Sequence, residues 1–338
     1  MKKNLLFLTL LLSLLLLSCQ HECSVEKGNA AHSRADSNSL TIASWNVQTF
    51  FDAEIEGTEY EDFRNFAKWS KDKYVKRLGR LCEVMTTLNA DVFVFEEIEN
   101  VAVVQDIANQ LCGNAWSHKN NWNYACFAKE NTSAIGCAVF SKYELSNLKV
   151  HFMDIRVHEK AQPAARPVMQ LDVDVDGKLL KLVVNHWKSK SGGELETEIW
   201  RDWQEALCVR LADELDAQGA GALVFCGDFN RDIDDFCLIA NAGKNVMFRG
   251  IGLNGSESKK EFFSPWVDMD RDSGSYYYDG NWERIDHLFI SGNLQLSGFC
   301  AKAEEPWCFS DSRPNAYKIY SGEGYSDHVP VMCVLTLY

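Results

Sequence analysis

The sequence is poor in the features that mark repeats and flexible linkers. It has six prolines in 338 residues. After residue 40 it has no internal repeat, no low-complexity run and no Pro/Gly-rich break. These absences argue against a solenoid and against two domains joined by a flexible linker. We therefore expect residues 39–338 to form one large domain.

Positive charge is also scarce. The chain has 34 Lys and Arg residues against 48 Asp and Glu residues, which gives a formal net charge of −14. This balance argues against a broad basic face that binds nucleic acid without specificity. It leaves room for a local basic groove, and it supplies carboxylates that can bind a metal ion.

The twelve cysteines lack the spacing of a zinc site, because no CxxC…CxxC or Cys/His pattern occurs. Cys300 and Cys308 flank a loop and are candidates for a disulfide. Apolar patterns surround four other cysteines, which we expect to be buried as small hydrophobic residues: Cys82, Cys208, Cys226 and Cys333.

The chain begins like a secretory signal peptide. Lys2 and Lys3 precede an apolar run from Leu5 to Leu17, which is too short to cross a bilayer comfortably. Cys19 follows Leu-Leu-Ser, a pattern that resembles a bacterial lipobox. We therefore expect residues 1–18 to be a lipoprotein signal peptide, with an ordinary signal peptide and a chance cysteine as the alternative.

Cell-envelope attachment follows from this interpretation. Lipid on Cys19 would anchor the protein to a membrane, and the polar residues 19–38 would form a tether. The domain would then face the periplasm or the exterior. Gln20 gives no retention signal, which favours the outer membrane.

Hydrophobic periodicity indicates a mixed α/β domain. Apolar residues at helical spacing predict helices over 71–89, about 101–111 and around 199–211. Short apolar runs outnumber the helices, and Asp176-Gly177 between two of them predicts a hairpin. The strands should therefore pair mostly antiparallel rather than in regular βαβ units.

Polar side chains recur at the ends of the predicted strands. Asp228 and Asn230 follow the apolar run 222–226 and Gly227. The same placement recurs along the chain for Asn46, Glu97, Asn185-His186, Asp286 and Asp327-His328. Any one case is ordinary strand punctuation. Six such cases together predict that these side chains share one site at one end of a pair of sheets.

These motifs resemble the endonuclease/exonuclease/phosphatase superfamily. The matching segments occur in that superfamily's order and cover residues 40–338: Ser44-Trp45-Asn46-Val47, Glu96-Glu97-Ile98-Glu99, Asn185-His186-Trp187-Lys188-Ser189-Lys190, Gly227-Asp228-Phe229-Asn230, Arg284-Ile285-Asp286-His287 and Ser326-Asp327-His328-Val329-Pro330. The resemblance implies a four-layer α/β/β/α sandwich, deoxyribonuclease I-like, with mixed and mostly antiparallel sheets. Glu96 departs from the pattern, since many members have Gln there, and it is expected to add negative charge beside Glu97.

The resemblance implies a role for each matched residue. Glu97 and Asn46 would bind Mg²⁺ or Mn²⁺ through oxygen, which suits these ions better than zinc. Asp327 would bind a second metal ion or assist the attacking water. The catalytic residues would be Asp228, which orients or deprotonates water, His186, which contacts or protonates a phosphate oxygen, and the pair Asp286 and His328. Whether Asp228 or the Asp286–His328 pair is the base stays open.

Phosphate contacts are expected from Asn230, Arg166 and Lys188, although Arg166 also fits a plain surface residue. Lys188 and Lys190 lie in a Gly-containing loop and would bind a second phosphate or stay solvated. Aromatic residues before Asp286 would stack on a base, cover a lipid-like group or pack on the domain itself: Tyr276, Tyr277, Tyr278 and Trp282.

The leading interpretation is a metal-dependent phosphodiesterase outside the cytoplasm, with nucleic acid as its substrate. The acidic charge and the membrane tether favour, as an alternative, a phospholipid phosphodiesterase or a phosphatase of small phosphate esters. A further alternative is a binding lipoprotein that has lost catalysis, although every expected catalytic residue type is present. No protein partner is predicted, and the chain is expected to be a monomer.

Overall fold

The computed structural model describes residues 39–65, 68–113, 122–156, 160–238, 245–251, 255–270 and 272–338. The predicted signal peptide, Cys19 and the tether of residues 19–38 lie outside the described residues. Within the described part, the helices are too short or too polar to cross a membrane.

Sixteen strands and three α-helices make up the described chain. The helices are α1 (Lys71–Leu88), α2 (Val101–Gly113) and α3 (Glu194–Ala217). The strands are β1 (Ser39–Phe50), β2 (Val92–Ile98), β3 (Tyr124–Ala128), β4 (Gly136–Ser141), β5 (Glu144–His151), β6 (Val168–Val175), β7 (Lys178–His186), β8 (Ala222–Asp228), β9 (Cys237–Leu238), β10 (Asn245–Ile251), β11 (Glu257–Phe263), β12 (Tyr276–Tyr278), β13 (Asn281–Glu283), β14 (Asp286–Gly292), β15 (Leu294–Ala301) and β16 (Val331–Leu337).

Two large sheets carry most of the strands. A six-stranded sheet has the order β15-β16-β1-β2-β4-β3, and an eight-stranded sheet has the order β5-β6-β7-β8-β14-β11-β10-β9. The pairs β1–β2 and β7–β8 are parallel, and the other pairs are antiparallel. Strands β12 and β13 form a separate hairpin. The mixed, mostly antiparallel architecture predicted from sequence is confirmed.

Alternation along β1 shows how the layers stack. Leu40 and Ile42 belong to the core between the two sheets, whereas Ala43 and Trp45 belong to the core that includes α1 and α2. Successive strand residues point to opposite faces, so the six-stranded sheet is covered on both sides. Helix α3 packs on the outer face of the eight-stranded sheet, where Leu211 joins the first core. The order is therefore helix, sheet, sheet, helix.

Local sequence explains where α1 ends. Asn89 adopts a left-handed backbone with φ 50°, and its N–H donates to the carbonyl of Met85. Asn tolerates this conformation and ends a helix by satisfying a last-turn carbonyl. Helix α3 is longer than its apolar pattern predicted, since it begins at Glu194 and ends at Ala217. Strands β5, β10, β11 and β15 were not predicted, because their apolar alternation is weak.

Eight cysteines of the described residues are free thiols. Cys300 and Cys308 are among them, so the disulfide that the sequence allowed between them is not formed. Their four counterparts in apolar patterns are buried, as predicted. Burial raises the pKa of the Cys82 thiol to about 12, which makes it an inert packing residue.

Candidate active site

Three neighbouring strands of the eight-stranded sheet carry functional side chains at the same sheet edge, where β7 and β8 end and β14 begins. His186 on β7 is in register with Asp228 on β8, and Asp228 is in register with Asp286 on β14. The three residues therefore form a row across one sheet edge. All three are almost fully buried.

Asn46 joins this row to the six-stranded sheet. Its Nδ2 donates to Asp228 Oδ2 at 3.0 Å and to Glu97 Oε1 at 3.2 Å. Its Oδ1 accepts a hydrogen bond from the Gln48 N–H at 2.9 Å. One amide thus holds two carboxylates from different sheets at a fixed separation.

Unusual backbone conformations direct two of these side chains. Glu97 has φ 66° and lies where the pairing of β2 shifts register between Glu96 and Ile98. Asn230 has φ 48°, and its N–H donates to Asp228 Oδ1 at 2.8 Å. Non-glycine residues seldom adopt positive φ, and such strain concentrates at functional sites. The bulge turns the Glu97 side chain towards the row.

Asp286 and His328 form a buried carboxylate–imidazole pair. His328 Nδ1 lies 2.8 Å from Asp286 Oδ2. Burial alone would lower the pKa of His328, but the charge and hydrogen bond of Asp286 raise that pKa well above its ordinary value. Ser326 fixes the segment, because its Oγ donates to the Asn46 carbonyl at 2.6 Å and accepts from the His328 N–H at 3.1 Å.

Asp228 and Asp327 are the other acidic groups beside His328. Burial, reinforced by the charge of Asp286, raises the pKa of Asp228 to about 7. Burial also raises the pKa of Asp327, which interacts with His328 and Glu97. We call Asp228, Asp286, Asp327 and His328 the carboxylate wall.

His186 faces that wall, but its pKa shifts in the opposite direction from that of His328. Its Nε2 lies 3.6 Å from Asp228 Oδ2 and 3.9 Å from Glu97 Oε1. Burial, followed by the charge of Arg166, holds the pKa of His186 well below its ordinary value. A neutral imidazole donates a hydrogen bond to a phosphate oxygen, but it is a poor acid, which disfavours the proton-donating role proposed from sequence.

Arg166 and Lys188 lie on the side of His186. Arg166 Nη1 donates to the Trp187 carbonyl at 3.4 Å, and Asn230 Nδ2 donates to the same carbonyl at 3.1 Å. Burial and the charge of Arg166 lower the pKa of Lys188. We call Arg166 and Lys188 the cation wall, and the neutral His186 lies beside it. Lys190 stands apart, because Glu283 at 2.9 Å and Glu194 at 3.0 Å neutralise it.

Glu96 lies in surroundings that oppose the negative charge expected from sequence. Its side chain is fully buried, Oε1 accepts from Ser44 Oγ at 3.2 Å, and Oε2 has no hydrogen-bond partner. Burial, together with the charges of Asp286 and Asp228, raises the pKa of Glu96 well above 4.5. These surroundings therefore oppose the negative charge that the sequence predicts at Glu96.

Arg77 is a positioning residue that sequence reasoning missed. It is buried in α1 and donates to the carbonyls of Val47, Gln48 and Thr49. The Thr49 N–H donates in turn to Glu97 Oε2 at 2.5 Å, so Arg77 supports the turn that holds this carboxylate. The signal was present, because Arg77 lies beside Leu78 on the apolar face of a predicted helix.

The aromatic segment forms the β12–β13 hairpin rather than a loop. The Tyr276 ring lies 4.7 Å from the His328 ring, and Tyr278 stacks on Tyr276 at 6.2 Å. Tyr277 packs against Trp282 instead. Two tyrosines therefore continue the carboxylate wall outward, and Tyr278 is 61% exposed.

Sequence comparison agrees with this geometry. The pattern of the Endonuclease/Exonuclease/phosphatase family matches residues 41–336. The chain belongs to that family. Family members hydrolyse phosphodiester bonds. No curated protein matches the chain.

Solved structures with the family's fold cover nearly the whole domain. Truncated Caenorhabditis elegans TDP2 has 16% identity and a TM-score of 0.54, covering 89% of this chain and 98% of that one. Danio rerio TDP2 complexed with single-strand DNA product has 16% identity and a TM-score of 0.50, covering 88% and 99%. The human Nocturnin catalytic domain with bound sulfate has 14% identity and a TM-score of 0.51, covering 89% and 95%. At these identities the likeness shows the fold, a deoxyribonuclease I-like sandwich.

The family's divalent metal fits the donor set. Ligand atoms of Asp228, Asp286 and His328 lie within 4.8 Å of one another, and Asp286 Oδ1 is buried with no hydrogen-bond partner. Glu97 and Asp327 add carboxylates beside them. Asn46 presents nitrogen to the cluster, so its predicted oxygen ligation would require the amide to turn. Carboxylate-rich sites suit Mg²⁺ or Mn²⁺.

Proposed function

We propose that the protein is a divalent-metal-dependent hydrolase of phosphate esters, and specifically a nuclease. The observation that carries this proposal is the row of His186, Asp228 and Asp286, closed by the 2.8 Å contact between Asp286 and His328. An in-line attack on phosphorus needs charge neutralisation, an oriented nucleophile and help for the leaving group. Groups suited to each task meet at this edge.

The protonation state of each residue suits it to one of these tasks. Asp228, with its pKa raised to about 7, accepts a proton from the attacking water or orients it. The imidazolium of His328, held by Asp286, stabilises negative charge on the phosphoryl group or on the leaving oxygen. His186 and the second N–H of Asn230 donate hydrogen bonds to phosphate oxygens.

A metal ion would be held by Glu97, with Asp327 and the buried carboxylates beside it. When bound, Mg²⁺ or Mn²⁺ supplies Lewis-acid stabilisation of the phosphoryl oxygens. Asn46 then keeps Glu97 and Asp228 at the separation that its two hydrogen bonds set.

Nucleic acid is the favoured substrate. Support comes from the TDP2 fold, since one TDP2 structure carries a single-strand DNA product. The exposed Tyr278 beside the centre offers a ring on which a base can stack. We place this activity in the cell envelope, anchored through lipid on Cys19, because the leader resembles that of a lipoprotein.

Small phosphate esters or phospholipids are the second candidate substrate class. The net charge of −14 disfavours a long polyanion, and Lys190 is already neutralised by Glu283 and Glu194. A membrane anchor would also bring the centre close to lipid headgroups.

A substrate panel tests the proposal. The chain without its first 19 residues should cleave single- or double-stranded DNA in Mg²⁺ or Mn²⁺, and EDTA should abolish cleavage. Asp228→Ala should remove activity, whereas His151→Asn, outside the centre, should retain it. Release of phosphocholine or inorganic phosphate from other esters, without DNA or RNA cleavage, would replace the nuclease proposal with the second candidate. No hydrolysis by the parent protein would favour a binding lipoprotein.

A further inference from the structure

A cavity of about 270 Å³ opens beside the cation wall. Arg166 and Lys188 line it together with Tyr60 and the hydroxyl residues Ser133 and Ser191. None of the described residues that line it is acidic. In a chain with a net charge of −14, a cavity lined by two cations and several hydroxyl groups is a distinctive local environment.

The two cations in this cavity are not neutralised. Among the residues that the structure describes, neither Arg166 nor Lys188 has a carboxylate oxygen within 4.0 Å of its charged nitrogens. Lys188 Nζ instead donates to the carbonyls of Ser189 at 2.9 Å and Ser191 at 3.0 Å, and to the Ser189 hydroxyl at 3.1 Å. These bonds orient the ammonium group without cancelling its charge. Tyr60 and Arg166 line the same cavity.

The cavity is connected to the catalytic centre through one carbonyl. Trp187 O accepts from Arg166 on the cavity side and from Asn230 on the centre side. A group held in the cavity would therefore lie beside a phosphate ester held by Asn230. The two sites are close enough for one small molecule to occupy both.

We propose that this cavity binds a second phosphate group of the same substrate, in the form of a terminal phosphate monoester. A monoester carries about −1.5 to −2 charges near pH 7, which matches the two cations, whereas a backbone diester carries only one. Arg166 provides a planar fork for two phosphate oxygens, and the hydroxyl groups donate to the third. This inference rests on the proposed function and narrows its substrate to one with a phosphorylated end.

Phosphate binding tests the cavity without any turnover. In EDTA the carboxylate wall repels anions, so inorganic phosphate should bind at the cavity, with a dissociation constant of about 1 mM by titration calorimetry. Arg166→Ala and Lys188→Ala should each weaken this binding about tenfold or more, because each removes a positive charge from the cavity. Arg166→Lys should restore part of the affinity, and Arg156→Ala, which alters an exposed arginine paired with Asp154, should leave it unchanged.

Matched dinucleotides test the same cavity during catalysis. In Mg²⁺, the thymidine dinucleotide with a terminal phosphate at its 5′ or 3′ end should be hydrolysed with a kcat/KM about tenfold above that of the unphosphorylated dinucleotide. Arg166→Ala should collapse this preference. The favoured end would show on which side of the scissile bond the cavity lies.

The two measurements separate the inference from the function on which it rests. Equal kcat/KM for all three dinucleotides, or phosphate binding that survives both alanine substitutions, would overturn the second-phosphate site while leaving a phosphodiesterase. Hydrolysis of none of them, with phosphate binding that depends on Arg166, would leave an anion site in a protein of another activity.

Discussion

The pKa values of two buried histidines, one in the carboxylate wall and one beside the cation wall, shift in opposite directions. His328 is 6% exposed and His186 is 1% exposed, yet the pKa of the first is raised and that of the second is lowered. Burial lowers the pKa of an imidazole in both cases. The difference between the two pKa shifts comes from the neighbouring charge on each ring. Asp286 raises the pKa of His328, and Arg166 lowers that of His186 further. One centre thereby holds a charged and a neutral imidazole at the same pH.

Replacing His328 should have the largest effect on activity, because it removes the charged imidazole of the pair of histidines. His328→Ala should lower kcat about 10³- to 10⁴-fold, because the variant loses both the imidazolium and the partner of Asp286. Single-turnover hydrolysis in Mg²⁺ measures the loss. His151→Asn provides the matched control, since His151 contacts Gln170 away from the centre. A loss below about tenfold would show that the carboxylate wall acts without its imidazole.

Replacing His186 should have a smaller effect of a different kind. His186→Asn keeps a neutral hydrogen-bond donor, so kcat/KM should fall about 10- to 100-fold, the cost of one weakened charged hydrogen bond. The pH profile of kcat/KM should keep its shape, because a neutral His186 does not titrate there. Disappearance of one limb of that profile in the variant would instead identify His186 as the titrating acid or base.

Replacing Arg77 tests whether the hydrogen bonds that support the turn beside Glu97 affect stability and metal binding at the centre. Arg77→Met preserves much of the volume but leaves three carbonyls without a buried donor, so unfolding should cost about 2–4 kcal/mol less. The Mg²⁺ concentration at half-maximal activity should rise severalfold as Glu97 becomes less ordered. Chemical denaturation and a metal titration measure the two effects. For comparison, Arg210→Met removes only an exposed ion pair with Glu214 and should change neither.

Glu96 should give the smallest change in activity. Glu96→Gln keeps the size and shape of this buried side chain, so kcat/KM at pH 7 should stay within about twofold of the parent. The pH dependence of protein stability should instead reveal the cost of ionising the buried Glu96. The folded chain holds the Glu96 proton above its ordinary pKa of 4.5, whereas the unfolded chain releases it, so rising pH favours unfolding of the parent.

The melting temperature should therefore report on this proton. The gain in melting temperature of Glu96→Gln over the parent should be larger at pH 8 than at pH 5, as measured by calorimetry. A gain that shrinks with rising pH would show that Glu96 is ionised in the folded protein.

Sequence predicted the central elements well because strong periodicity marks them. The strand that contains Asp228 and the helix that contains Tyr74 and Leu78 lie where their patterns indicated. Strands such as β11 (Glu257–Phe263) escaped prediction because lysine and glutamate fill their exposed faces. Their pairing comes from neighbours that are remote in sequence.

The candidate site was predictable in membership but not in protonation. Strand-end polar residues such as Asn46 and Asp286 are visible in the sequence as motifs. The shifted pKa values of Glu96 and His186 are not visible there, because they depend on burial and on charges brought close by the fold. Tyr60 was also missed, since nothing in its local sequence shows that it meets Arg166 across the cavity.

Gly227 limits how the sequence beside the centre can vary. A Cβ at this position would lie 1.9 Å from the Asn185 carbonyl oxygen and 3.0 Å from Glu96 Oε1, and the backbone has φ 124°. In a library that randomises positions 227 to 230, only glycine clones should therefore survive at the first of them. The close approach of β7 to β8 therefore depends on the absence of a side chain at position 227. Grafting this centre onto another scaffold would require a glycine at the equivalent position as well as the catalytic residues.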